Sequence, residues 1–234
     1  MKNITTLVAI IGTAVSLSAA DVTGTVTLKG TPPAEKEIVP LKNDPNCGKL
    51  VTDTPTTSHY VVGSKGELAN AVVIVKGVPG AKSTGASAAP AVLDQETCLY
   101  HPHIFAVQTG QKITVKNSDP VLHNVHTTPT VEGNKEQNLA QLPKGPDLTM
   151  SFDKSENFLR FKCDVHPWMF AYVCVVDHPY FAVTAADGSF KIANVPPGKY
   201  AVEVLHRKAA PTGETQEVEV TDAGGKADFT LEAK

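Results

Sequence analysis

Apolar and polar positions alternate from Asp21 to Lys29, through Val22, Thr23, Gly24, Thr25, Val26, Thr27 and Leu28. A period of two predicts a strand. Residues 30–60 carry Pro32-Pro33, Asp44-Pro45 and Cys47-Gly48, which predict loops. Ala71-Val72-Val73-Ile74-Val75 is a short apolar run between turn signals and predicts a buried strand. Residues 77–90, rich in Gly, Ala, Ser and Pro, predict a mobile loop. Further strands are predicted at Ile104–Gln108, Lys112–Lys116, Asn157–Cys163 and Phe170–Val176, with a turn at Asn117-Ser118-Asp119-Pro120. Residues 127–147 are polar and predict a loop with one helical turn near Lys135–Leu142.

After His178 the pattern shortens. Strands are predicted at Phe181–Thr184, Ser189–Ala193, Lys199–Leu205, Gln216–Thr221 and Ala227–Leu231. Asp187-Gly188, Pro196-Pro197-Gly198 and Gly224-Gly225 separate or flank them, and such pairs between alternating runs signal hairpins. Short strands at close spacing predict a small β-sandwich. The fold class expected is all-β.

Composition narrows the class without naming a function. The 234 residues suit one or two domains. Hydrophobic residues are 41% and charged residues 19%, as in an ordinary globular protein. Lys plus Arg is 21 against 24 for Asp plus Glu, so no basic excess exists to neutralise phosphates, and nucleic acid is not an expected partner. Lys2 precedes a mostly apolar stretch from Leu7 to Leu17, and Ser18-Ala19-Ala20 follows. That is the three-part pattern of a secretory signal, with cleavage expected before Asp21. The apolar run is shorter than the ~20 residues of a comfortable membrane span; the alternative is an uncleaved N-terminal anchor, and after cleavage no membrane association is expected. A periplasmic or secreted location follows, where disulfides persist.

The chemistry concentrates in Cys163-Asp164-Val165-His166-Pro167-Trp168-Met169. A thiolate, an imidazole and a thioether within seven residues are the soft and borderline donors that suit copper. A thiolate with two imidazoles and a weak axial thioether makes a blue-copper electron-transfer site. The second imidazole must come from elsewhere, and Asp119-Pro120-Val121-Leu122-His123-Asn124-Val125-His126 offers His123 and His126. Three apart on a strand, these two point to opposite faces, so only one should meet the metal. The bland alternative is a buried hydrophobic Cys, a gap-filling Met, or a Cys163–Cys174 disulfide that would remove the thiolate. Tyr100-His101-Pro102-His103 is a weaker second candidate, being a histidine pair with no further ligand types beside it.

These two blocks resemble the copper loops of the cupredoxins (blue-copper, amicyanin- and plastocyanin-like), most closely the amicyanin type, over roughly Val72 to Val176. The resemblance implies a Greek-key β-sandwich with one type 1 copper. It implies His123, Cys163 and His166 as ligands, Met169 as the axial ligand, and Asn124 as the residue that ties the first ligand's strand to the Cys loop. His126 is then a surface or supporting residue. With Cys163 on the metal, Cys47 and Cys98 lie in loop-like segments and pair, leaving Cys174 a buried thiol. On the Phe170–Val176 strand, Ala171, Val173 and Val175 share a face with Met169, while Phe170, Tyr172 and Cys174 form an apolar opposite face that needs cover.

The tail, from Val183-Thr184-Ala185-Ala186-Asp187-Gly188 to Val195-Pro196-Pro197-Gly198-Lys199-Tyr200, resembles the carboxypeptidase regulatory-like domain, a transthyretin-like β-sandwich whose opening strand Gly24-Thr25-Val26 also matches. The organisation expected is a signal at 1–20, N-terminal strands at 21–80 belonging in part to a split regulatory-like sandwich, the cupredoxin domain at 81–177, and the second sandwich at 178–234. Carbohydrate is a ligand the tail's family suggests by analogy, though the tail offers no aromatic platform.

The function expected is electron transfer with a transient redox protein partner, His166 serving as the exit and Pro167, Trp168 and Phe170 as an apolar collar. Trp168 could instead pack against the second sandwich. Copper delivery, or a metal-free envelope binding module, are the other classes. Enzymatic activity is not expected, because four ligands close the site and no Ser/His/Asp, paired-carboxylate or phosphate-loop pattern is present.

Overall fold

The computed structural model describes residues 18–234, so the predicted leader lies outside the described residues except for its last three. Strands β1 (Ala20–Lys29), β2 (Val72–Lys76), β3 (Ala91–Glu96), β4 (Leu99–His101), β5 (Ile104–Gln108), β6 (Ile113–Asn117), β7 (His123–Thr128), β8 (Gln137–Gln141), β9 (Leu148–Met150), β10 (Glu156–Lys162), β11 (Phe170–Val176), β12 (Phe181–Val183), β13 (Ser189–Val195), β14 (Gly198–His206), β15 (Ala210–Val220), β16 (Gly225–Lys226) and β17 (Phe229–Glu232) make the protein all-β, with a short helix α1 (Val39–Asn43). Among the described residues, no helix is long and apolar enough to cross a membrane.

Four sheets pack through three apolar layers. β1 pairs with β13, β16 and β17, and this sheet faces a second of order β12-β2-β14-β15. Val22, Val26, Val73, Val75, Ile192 and Val202 fill the space between them. The other two sheets, β5-β11-β10-β7-β8 and β4-β3-β6-β9, enclose Leu93, Ile113, Val125, Phe161 and Val173. The chain from β3 to β11 is thus a sandwich inserted between β2 and β12 of an outer sandwich. The connection from β1 to β2 does not stay with its strands: Ile38, Leu41 and Cys47 pack into the inserted core.

The third layer is the seam between the sandwiches. Val72 and Ile74 of β2 and Leu205 of β14 meet Ile104 of β5 and Tyr172, Cys174 and Val176 of β11. β2 and β11 read as unbroken apolar runs because both their faces are buried. β11 sends Ala171, Val173 and Val175 into the inserted core and Tyr172 and Cys174 into the seam, with Phe170 half-buried beside them. Arg207 lies 3.8 Å over the Tyr172 ring and donates to its hydroxyl.

Where backbone approaches backbone, side chains are excluded. A Cβ at Gly24 would stand 1.7 Å from the Ala227 carbonyl oxygen, so the β1 crossing requires glycine.

Two regions differ from the hydrophobic pattern. The helical turn expected near 135–142 is strand β8, paired to β7 with His123 opposite Gln141 and Thr127 opposite Gln137. Asn138, Leu139 and Ala140 are all exposed, so this edge strand shows no burial period, and only backbone pairing defines it. Residues 77–90 form a loop that is tied down rather than free. Ser83 Oγ donates to the Thr109 carbonyl at 2.6 Å and the Thr84 N–H to Gln108 Oε1 at 2.8 Å.

A chain ended at Val176 would lose every strand that pairs with β1 and β2 and uncover the seam. Burial of residues such as Tyr172 contributes roughly 1.5–3 kcal/mol each. The shortened chain should therefore be aggregated or oligomeric on size-exclusion chromatography. A soluble monomer with undiminished thermal stability would contradict the seam's structural role.

Candidate metal centre

Three elements of the inserted sandwich converge at one of its ends: the start of β7, the 163–169 loop between β10 and β11, and the turn at 117–122. On β7, His123, Val125 and Thr127 face inward and are fully buried, which sets His123 at the end of the core. The 163–169 loop closes on itself. The Cys163 N–H donates to the Met169 carbonyl at 3.2 Å, and the Met169 N–H to the His166 carbonyl at 2.9 Å. These bonds turn Cys163 and His166 to the same side.

One ligand atom each of His123, Cys163 and His166 lie within 4.8 Å of one another, all buried. The two Nδ1 atoms stand 3.0 Å apart, and Cys163 Sγ is 3.8 Å from His166 Nδ1. The sulfur accepts the N–H groups of His166 at 3.4 Å and Asn124 at 3.5 Å. Met169 is fully buried in the same apolar layer as Cys163.

Two other groupings share this end: Cys47, Cys98 and His166, and Cys98, Asp119 and His123. Cys47 and Cys98 are joined as a disulfide, so neither offers a thiolate. Cys163 and Cys174 are the free cysteines and are not bridged to each other. Their environments differ sharply. Burial would raise the Cys163 thiol, but hydrogen bonds with His123 and His166 and with the N–H groups of Asn124 and His166 outweigh it, bringing it down to about 6. Burial in the seam pushes Cys174 up to about 12. The thiolate is the metal-binding form, so Cys163 is the cysteine prepared for a metal.

Asn124 points to the opposite face of β7 and braces the loop. Its Oδ1 accepts the N–H groups of Asp164 at 2.7 Å and Val165 at 3.3 Å, and lies 3.3 Å from Cys163 Sγ. His126 shares Asn124's face and is held away from the cluster. Its Nδ1 is 2.7 Å from Asp164 and its Nε2 2.6 Å from Glu136. Those carboxylates, Glu136 first, outweigh partial burial and raise its pKa. Strand parity brings His123, and not His126, beside Cys163 and His166.

A search with family models finds no match, and no curated protein matches the chain. Solved structures do. A Cu(I) form of an amicyanin variant is 20% identical, covers 44% of this chain and 97% of its own, and superposes with a TM-score of 0.33. A reduced tyrosine-substituted variant of amicyanin is 22% identical over the same shares, with a TM-score of 0.34. The copper-containing nitrite reductase of Thermus scotoductus SA-01 is 19% identical over 42% of this chain and 24% of its own, with a TM-score of 0.35.

Other neighbours of the cluster have no local signature in the sequence. Asp119 bonds His123 Nε2 at 2.9 Å; its Asp-Pro setting reads in sequence as turn chemistry. Trp168 packs on the His166 ring at 5.2 Å between centroids and donates its indole N–H to the Cys98 carbonyl at 3.1 Å, which joins the loop to the disulfide. The buried Tyr100 hydroxyl donates to the Asn124 carbonyl at 2.8 Å. The expected collar is corrected in one member: Phe170 turns to the seam, meeting the His103 and Tyr172 rings edge to face. The reason is strand parity, since Phe170 shares the face of Tyr172 rather than that of Met169. His166 retains only 8% exposure. Of the weaker histidine pair, His101 is exposed, and His103 Nδ1 contacts the Phe170 carbonyl at 3.1 Å. Neither joins a three-ligand grouping among the described residues.

Proposed function

We propose that this chain is a mononuclear copper protein that passes single electrons outside the cytoplasm. The observation that carries this reading is a free thiol and two imidazoles whose ligand atoms lie within 4.8 Å of one another, the two Nδ1 atoms facing each other. That donor set fits copper. His123, Cys163 and His166 would hold it, with Met169 from the same loop as the weak fourth donor. Bound there, copper supplies a one-electron couple.

The chain's own residues hold the donors still. Asn124 bridges β7 to the Cys163 loop, and two backbone N–H groups already point at the sulfur. A preset site changes little between oxidation states, and small rearrangement is what electron exchange requires. Four donors leave no open position for a substrate, which favours a carrier over an enzyme. Around the ligands, Leu122 is 40% and Val165 50% exposed, and Pro167 is exposed beside them. This apolar rim would suit a transient redox protein partner. The Cys47–Cys98 disulfide favours an oxidising compartment, in keeping with the expected leader.

The test is colour. The copper-loaded protein should absorb strongly near ~600 nm, as a trigonal His₂Cys site with Cu(II) does. Copper uptake without that band would contradict the reading. Met169→Leu should keep the colour and raise the reduction potential in voltammetry, because losing a weak axial donor disfavours Cu(II). Loss of the band in Met169→Leu would remove Met169 from the role of weak donor.

A further inference from the structure

We propose that Asp119 is a positioning residue for the metal that strengthens His123 as a donor and favours Cu(II) over Cu(I). The proposal rests on the copper reading of the site. Asp119 is 3% exposed, and every contact of its carboxylate is an N–H donor. Oδ1 accepts the Thr97 N–H at 2.7 Å; Oδ2 accepts the Cys98 N–H at 2.8 Å and the His123 Nε2–H at 2.9 Å. Its own N–H donates to Asn117 Oδ1 at 3.1 Å.

The carboxylate places the imidazole proton on Nε2, which leaves the Nδ1 lone pair facing His166 Nδ1 and the Cys163 thiol. A carboxylate on the far nitrogen also raises the basicity of a ligating imidazole. Charge acts in the same direction. Were Cu(II) held there, its two positive charges would be balanced by the Cys163 thiolate and the Asp119 carboxylate together. Cu(I) would leave one negative charge unbalanced in a buried site, which is costly. The anchoring of Asp119 on Thr97 and Cys98 ties His123 to the disulfide loop, so the carboxylate cannot swing away to water.

The experiment compares the full-length mature protein with Asp119→Asn and Asp119→Glu, each loaded with Cu(II) and with Cu(I). Asp119→Asn should weaken Cu(II) binding about 10–100-fold, the usual loss for a partner behind a ligand. Cu(I) binding should change far less. The reduction potential should then rise by about 60–120 mV, at 59 mV per tenfold for one electron. The Cys163 band should persist, and Asp119→Glu should restore part of the shift. Equal loss of both affinities, or an unchanged potential in a blue Asp119→Asn protein, would reduce Asp119 to a structural turn residue and overturn the proposal. If Asp119→Asn does not fold, proton NMR of the diamagnetic Cu(I) wild type decides. A downfield, slowly exchanging His123 Nε2–H supports the carboxylate bond, and its absence overturns it. A wild type that binds copper without the visible band defeats the reading of the site, and this inference falls with it. A blue wild type with an unmoved variant defeats this inference alone.

Discussion

Cys163→Ser should strip the copper-loaded protein of its intense visible absorption and weaken Cu(II) binding by more than about 100-fold, beyond the loss expected for an outer partner. The absorption of a blue site needs a thiolate on Cu(II), and a serine hydroxyl is a hard donor that stays protonated. Serine keeps the shape of the loop. The bonds from the Cys163 N–H to Met169 and from the Met169 N–H to His166 use backbone atoms alone. Folding should therefore survive, and the loss can be assigned to the donor. Cys174→Ala is the control. Cys174 lies in the seam, on the opposite face of β11 from Ala171 and Val173, and its removal should leave the spectrum unchanged. Titration with Cu(II), followed by absorption and dialysis, separates the two variants. Full colour in Cys163→Ser would move the metal elsewhere.

Removing the disulfide by Cys47→Ala with Cys98→Ala should cost about 4 kcal/mol in the chain-entropy model, given a closed loop of 51 residues. Urea unfolding of wild type and variant measures it. The closed loop runs from the later part of the β1–β2 connection through β2 and β3, and α1, with Leu41 fully buried in the inserted core, lies just ahead of Cys47. Without the cross-link, α1 and the residues around Cys47 hold to the inserted core by packing alone. The Cys98 backbone also receives the Trp168 indole and donates to Asp119, so a loosened Thr97–Cys98 segment should broaden the copper spectrum as well as lower stability. A loss under ~1 kcal/mol with an unchanged spectrum would show that packing alone orders this segment.

The sequence carried what short-range physics can encode. Alternation at Asp21–Lys29 and the apolar runs at β2 and β11 marked strands, because side-chain period reports burial directly. Parity along β11 assigned Tyr172 and Cys174 to a face that needed cover, and parity along β7 separated His123 from His126. The donor types of Cys163, His166 and Met169 stood within one loop, so their chemistry was legible before any fold. The rest depended on groups distant in the chain meeting at a given register. β8 is exposed along its centre and exists only through its pairing with β7. Asp119 reads as a turn residue until β3 and β6, paired with Gln95 opposite Asn117, bring Thr97 and Cys98 within reach of its carboxylate. Trp168 met the Cys98 carbonyl, seventy positions away, through packing rather than any local pattern, whereas Phe170 lies in the seam, on the face of β11 that its parity with Tyr172 and Cys174 gives it. Hydrophobic period is a property of one segment, whereas a hydrogen bond between segments is a property of their docking, and only the tertiary structure specifies that.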